Sequence, residues 1–175
     1  MSSSRALLAA CLAAALAACG FQPLYKKDSS EPGVTGDLAR IRVLNVNADL
    51  AEYDRLGQQM HNMLLQRLNP GGSPAEPFYR LDSQLSVTKE RTGIQITEEA
   101  TRARLTVSVS FRLLDAANGR SLYTGSEQST NSYNVADSQF ATLSAENDAA
   151  RRAVREVSDS IRLRLGLFFQ RERSG

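Results

Sequence analysis

The sequence predicts an α+β domain, a two-layer sandwich in which an about four-stranded, mixed and mostly antiparallel sheet carries two amphipathic helices on one face. Three observations predict it. Ala103, Leu105, Val107, Val109, Phe111 and Leu113 alternate with Arg104, Thr106, Ser108, Ser110 and Arg112, the period of two that a half-wet strand requires. Two other stretches repeat apolar residues at spacings of three and four, one before the strand-rich region and one after it. The resulting order is strand, helix, three strands, helix. Two amphipathic helices are enough to cover one face of such a sheet and leave the other open.

The chain opens with a leader. Arg5 precedes an Ala/Leu run from Ala6 to Ala18, a charged n-region and an apolar h-region of secretory length, too short to span a bilayer. Leu16-Ala17-Ala18-Cys19 then sets small residues before a cysteine, the pattern at which lipoproteins are cleaved and acylated. Leu8-Ala9-Ala10-Cys11 repeats these letters but has too few apolar residues before it to be a cleavage site. Cys19 is therefore the expected lipid-attachment residue. The competing reading is an ordinary signal peptide that leaves Cys19 as a free thiol. Several acyl chains, at about 0.8 kcal/mol per buried methylene, make an effectively permanent anchor.

The mature chain follows in order. Lys26 to Gly36 is polar, with Pro32, Gly33 and Gly36, and reads as a flexible tether. Leu38 to Val46 reads as a first strand. Asp49, with Glu52 three residues on, reads as the cap of a helix whose buried stripe is Tyr53, Leu56, Met60, Leu64 and Leu68. Asn69-Pro70-Gly71-Gly72 ends it. Tyr79, Leu81, Leu85 and Val87 mark a second strand; beyond Gly93 the parity shifts to Ile94 and Ile96, the mark of a bulge, and Thr97 to Ala100 reads as a hairpin tip. After the third strand, Asn118-Gly119 signals another hairpin, leading to a weaker strand from about Arg120 to Thr130. A long helix closes the chain, capped by Asp137 or Ser138, with a stripe through Phe140, Leu143, Asn147, Ala150, Val154, Val157, Ile161, Leu165 and Phe168. The chain thus divides into a lipoprotein signal at 1–18, an anchor and flexible tether at 19–37, a folded body at 38–170 and a polar tail at 171–175.

Composition narrows the function. Removing residues 1–18 leaves 157 of 175 residues, enough for one core, with 20 basic residues against 19 acidic ones. That balance argues against a nucleic-acid partner. With Cys11 lost and Cys19 acylated, neither disulfide nor thiol chemistry remains. His61, the one histidine, lacks partners at metal or catalytic spacing and reads as a surface or boundary residue. No G-x-S-x-G elbow and no phosphate-binding glycine loop appears, and Glu98-Glu99 reads as solvated. No cofactor, no metal and no catalytic residue is expected. Two features exceed what a plain domain needs. One is the wet sheet face of Gln84, Ser86, Thr88, Arg104, Thr106, Ser108, Ser110 and Arg112. The other is the basic set Lys89, Arg91, Arg102 and Arg104 near the long hairpin, of which Arg91 and Arg104 are the candidate contacts to lipid phosphates.

Cys19-Gly20-Phe21-Gln22-Pro23-Leu24-Tyr25 resembles the start of the mature chain in the lipopolysaccharide-assembly lipoprotein family LptE, which begins Cys-Gly-Phe-x-Pro-Leu-Tyr. The order of elements across residues 38–170 is similar to that family's fold as well. The resemblance implies an outer-membrane lipoprotein that plugs and helps assemble the β-barrel LptD, binds lipopolysaccharide and assists its insertion into the outer leaflet. Gly20, where retained lipoproteins carry Asp, agrees with outer-membrane sorting. A periplasm-facing accessory lipoprotein of a lipid-transport ABC system is the alternative, but such proteins lack the Phe-x-Pro-Leu-Tyr start. A lipid-anchored hydrolase would need a nucleophile and a base that the sequence does not offer.

Overall fold

A computed structural model of the chain describes residues 33–92 and 102–174. In order come helix α1 (Val34–Ala39), strand β1 (Ile41–Ala48), a 3-10 turn (Ala51–Tyr53) and helix α2 (Asp54–Leu68). Strands β2 (Tyr79–Thr92), β3 (Arg102–Asp115) and β4 (Ser121–Asn134) follow, then helix α3 (Gln139–Ser174). The sheet order is β1-β2-β3-β4. β1 is parallel to β2 through the α2 crossover, and the other two pairings are antiparallel. The mixed α+β sheet of the sequence reading is the observed one. The leader, Cys19, the Gly20–Tyr25 stretch, the Gly93 bulge with Ile94 and Ile96, and the tip at Thr97–Ala100 lie outside the described residues.

The core follows from register. Leu81 faces Leu113, Leu85 faces Val109 and Val87 faces Val107, so one side of the sheet is a continuous apolar surface. Onto it α2 lays Leu56, Met60, Leu64 and Leu68, and α3 lays Val154, Val157, Ile161 and Leu165, all buried. Phe111 fits because its two cross-strand neighbours are small. Ser83 lies opposite it on β2 and Gly125 on β4. A Cβ on Gly125 would stand 2.7 Å from the ring. α2 reaches β1 closely at a second glycine. β1 carries one extra residue between Val43 and Val46, a β-bulge. Gly57 sits against it, and a Cβ there would be 2.7 Å from the Val46 carbonyl oxygen. His61 Nδ1 hydrogen-bonds the Leu44 carbonyl at 2.9 Å in the same place, which makes it a partly buried helix-to-strand tie.

Several boundaries differ from the sequence reading. The tether expected to run to residue 37 already contains α1 from Val34, because Leu38 and Asp37 are both buried against the body. Asp37 is 9% exposed and accepts from Arg173 Nε and Nη2 at 2.9 and 2.7 Å. That contact also shows residues 171–174, expected as a polar tail, to be the last turn of α3. Asp49 does not cap α2. Its carboxylate accepts from Gln84 Nε2 at 2.7 Å, and the chain passes through a 3-10 turn with no side-chain cap before α2 begins. Ser138 does cap α3, accepting the Ala141 N–H at 3.4 Å. Of the expected α3 stripe, Val154, Val157, Ile161 and Leu165 are buried and Ala150 and Phe168 half-buried, whereas Phe140 and Leu143 are 79% and 54% exposed, because the first turns of α3 extend past the part of the sheet that α2 covers. No helix among the described residues is long and apolar enough to cross a membrane.

Candidate functional site

The sheet has two faces of opposite character. Its strands of up to 14 residues give the open face a length of about 45 Å, and four strands give a width of about 15 Å. Along it lie Gln84, Ser86 and Thr88 of β2, then Thr106, Ser108 and Ser110 of β3, the hydroxyl and amide positions the alternation predicts. β4 extends the surface with Ser126, Gln128, Thr130 and Ser132, which register sets beside Ser110, Ser108, Thr106 and Arg104. Thr106 and Thr130 share a hydroxyl hydrogen bond at 2.8 Å, and Arg112 pairs with Asp82 at 2.7 Å. A shallow depression of about 690 Å³ lies across the middle of this face, lined by Asp49, Gln84, Ser86, Ser108, Ser110, Ser126 and Gln128. Its chemistry is mostly neutral donors and acceptors, with Asp49 and Glu127 the acidic members of the lining, suited to polar contacts rather than to apolar burial.

The basic set is divided by register rather than gathered. Glu90 lies opposite Arg104 and Arg91 opposite Ala103. Ala103 is buried under the helices, so Arg91 and Lys89 lie on the helix side and Arg102 and Arg104 on the open side. Arg91 and Arg104, the two candidate phosphate contacts, are thus on opposite faces. Arg104 has Glu90 and Ser132 as its cross-strand neighbours.

Lys89 is committed elsewhere. Its Nζ lies 2.6 Å from Glu146 and 5.4 Å from the Tyr53 ring centroid, and the Tyr133 hydroxyl donates to the same carboxylate at 3.2 Å. Burial works against the charge on Lys89, but Glu146 and the Tyr53 hydroxyl outweigh it and raise the amine's pKa above its ordinary value. Burial, then the Glu146 carboxylate, raises the Tyr133 hydroxyl. Lys89, Tyr53 and Glu146 line a cleft of about 350 Å³ between the first turns of α2 and α3, with Leu56, Leu105 and Leu143 at its floor and rim.

Sequence reasoning missed the polar seam between β4 and α3. The inward positions in the middle of β4 are Glu127, Ser129 and Asn131, with no apolar alternation to flag them. Glu127 accepts from Arg164 at 2.7 Å; Ser129 and Asn131 both donate to Glu156; Asn131 also accepts from Arg152 at 3.1 Å. Their spacing of two against Arg152, Glu156 and Arg164, spaced by fours and eights, was the signal available. No group of three or more His, Cys, Asp or Glu side chains that could hold a metal occurs among the described residues.

A lipoprotein-designated protein of Caulobacter crescentus CB15 superposes with a TM-score of 0.60 at 28% identity, covering 79% of this chain and 96% of that one. Lipoprotein B of Nitrosomonas europaea superposes at 0.53 with 14% identity, over 83% and 92%, a likeness of fold. No curated protein sequence matches significantly. The family described as lipopolysaccharide-assembly, LptE, matches residues 38–165, from the start of the core to the buried part of α3. The chain belongs to the LptE family.

Proposed function

We propose that this LptE-family chain is an outer-membrane lipoprotein, acylated at Cys19, that plugs and helps assemble an LptD-like β-barrel and assists the transport of lipopolysaccharide into the outer leaflet without catalysing a reaction. The observation that carries the reading is the uncovered sheet face. A polar sheet face left open in this way is free to meet a polar partner, and a barrel lumen is polar. Hydroxyl and amide side chains from Gln84 to Ser132 match such a wall without burying unpaired charge. The lipopolysaccharide phosphates are assigned to Arg104 on the open face and Arg91 on the helix side, which contact different parts of the ligand or of its path.

Depletion of the protein, followed by an assay of surface lipopolysaccharide, tests the reading. Loss of surface display together with co-purification of a large barrel protein is expected. Normal display after depletion would overturn it and leave the accessory lipoprotein of a lipid-transport ABC system standing.

A further inference from the structure

The two ends of the body differ in charge and in how the chain enters them. At one end lie residues 33–42, 67–80, 113–121 and 165–174: α1, the loop before β2, the β3–β4 turn and the last turns of α3. These segments carry seven arginines against four carboxylates. At the opposite end, residues 47–56, 87–92, 102–104 and 132–151 carry six basic residues against seven acidic ones. The two carboxylates best placed to neutralise the first end are already in use. Asp37 holds Arg173, and Asp115 accepts from the Ala117 N–H and Asn118 Nδ2 within its turn. Among the described residues, none of Arg40, Arg80, Arg120 and Arg171 forms an ion pair.

This end also presents an aromatic ring. Phe78 is 52% exposed, with the Arg40 guanidinium 4.4 Å above its centroid. Phe78 is fixed there by its backbone, which accepts from Ala116 at 3.0 Å and donates to the Arg40 carbonyl at 3.1 Å. A guanidinium stacked on an exposed ring is amphipathic, apolar at its face and charged at its rim.

We infer that this arginine-rich end, with Phe78 at its centre, seats on an anionic phospholipid surface. The inference rests on the proposal that Cys19 is acylated. Chain length decides which end meets the bilayer. Fourteen residues separate Cys19 from Gly33, a reach of at most about 50 Å. The opposite end lies about 45 Å further along the strands. Bringing that end to the membrane would stretch the whole connecting segment nearly taut; seating the α1 end needs almost none of its length. In the chain free of its barrel, the acyl chains supply the affinity, and the arginines and Phe78 supply orientation, aiming the long axis of the open sheet face away from the lipid surface.

The test uses the acylated full chain in vesicles containing about one part in four phosphatidylglycerol, a density of anionic lipid that attracts basic protein surfaces. A fluorophore is attached at Ser73→Cys near the arginine-rich end, or at Ser144→Cys on the exposed first part of α3, and quenching is read from brominated phosphatidylcholine present at the same share in every vesicle. Quenching at position 73 at least about threefold above that at 144 is expected, reduced in about 1 M salt where screening falls to about 3 Å. It is also expected to collapse in pure phosphatidylcholine and in the Arg40→Glu/Arg120→Glu/Arg171→Glu variant. Equal quenching at the two positions, or a difference indifferent to headgroup and salt, overturns the inference; the salt and headgroup arms hold even if the triple variant misfolds. The mass of the N-terminal peptide is read on the same sample. Absence of the acyl mass refutes the anchor itself and removes the tether-length argument with it, whereas an acylated chain without the quenching difference refutes only the seat.

Discussion

Gly57 separates helix propensity from packing in a single substitution. It lies in the interior of α2, where replacing glycine by alanine ordinarily stabilises by about 1 kcal/mol. The added Cβ, however, would stand 2.7 Å from the Val46 carbonyl oxygen, well inside contact distance. The obstacle is backbone on the bulged part of β1, so no side-chain rotation relieves it, and α2 must shift with Leu56, Met60, Leu64 and Leu68 attached. Overpacking of this kind costs about 1–3 kcal/mol, and an unyielding obstacle belongs at the upper end. The net expectation for Gly57→Ala is a loss of about 2 kcal/mol, or a Tm lower by about 6 °C for a domain of this size. Two controls isolate the cause. Gly71→Ala meets nothing within 4 Å and should change little, whereas Gly72→Ala also meets open space but holds φ at +99° and should lose about 1–2 kcal/mol from the backbone alone. Thermal unfolding followed by circular dichroism reads all three. A Gly57→Ala variant more stable than the parent would refute the close approach of α2 to the β1 bulge.

Three further expectations follow from contacts described above. Gly125→Ala sets a Cβ at 2.7 Å from the Phe111 ring and should lower the unfolding free energy measured in urea by about 1–2 kcal/mol, while Phe111→Leu in the same chain should recover part of that loss; additive effects in the double-mutant cycle would deny the contact. Lys89, Tyr53, Tyr79 and Tyr133 all hold raised pKa values, so the folded state binds their protons more tightly than the unfolded one. Their stabilisation is therefore complete below the unfolded values of 10.0 and 10.5 and is lost as pH rises through the folded ones. Urea midpoints from neutral to strongly alkaline pH should fall above about pH 10, less steeply in Glu146→Gln, and a flat profile would contradict the cluster. Asp37→Asn removes a carboxylate that is 9% exposed from an arginine whose side chain is 35% exposed, and should cost about 1–2 kcal/mol in equilibrium unfolding, below the full cost for a deeply buried pair. An unchanged midpoint would show the pair to be idle.

How much of this was legible in the sequence depended on whether a burial pattern coincided with hydrophobicity. β3 was read to within two residues because every inward position from Ala103 to Leu113 is apolar. β4 was read as ending at Thr130 and continues to Asn134, because its inward positions Glu127, Ser129 and Asn131 are polar and pair with α3 instead of joining the apolar core. The α3 period was correct, yet periodicity reports which residues share a face and not whether anything lies opposite, so Phe140 and Leu143 were assigned to a core that does not reach them. Asp49 carried a valid capping signature that a tertiary partner, Gln84, took over. The candidate site divided in the same way. The hydroxyl-rich open face could be read from alternation, but the separation of Arg91 from Arg104 depends on register, which a one-residue shift would have reversed. The opposite charges of the two ends arise from segments far apart in sequence and were not visible before the fold.

The ion pair between Asp37 and Arg173 also bears on the order in which the molecule folds. Its partners are 136 residues apart, whereas nine residues connect the paired ends of β2 and β3. Closing the longer loop in an otherwise unstructured chain costs about 2.4 kcal/mol more in entropy. The β2-β3-β4 meander is therefore expected to form early, with β1 and α1 recruited late, after most of the intervening chain has already condensed. The N-terminal edge is thus expected to be the last to close and the first to open, so tension from the proposed anchor at Cys19 would be received at α1 and β1, while the β2-β3-β4 strands remain intact behind them.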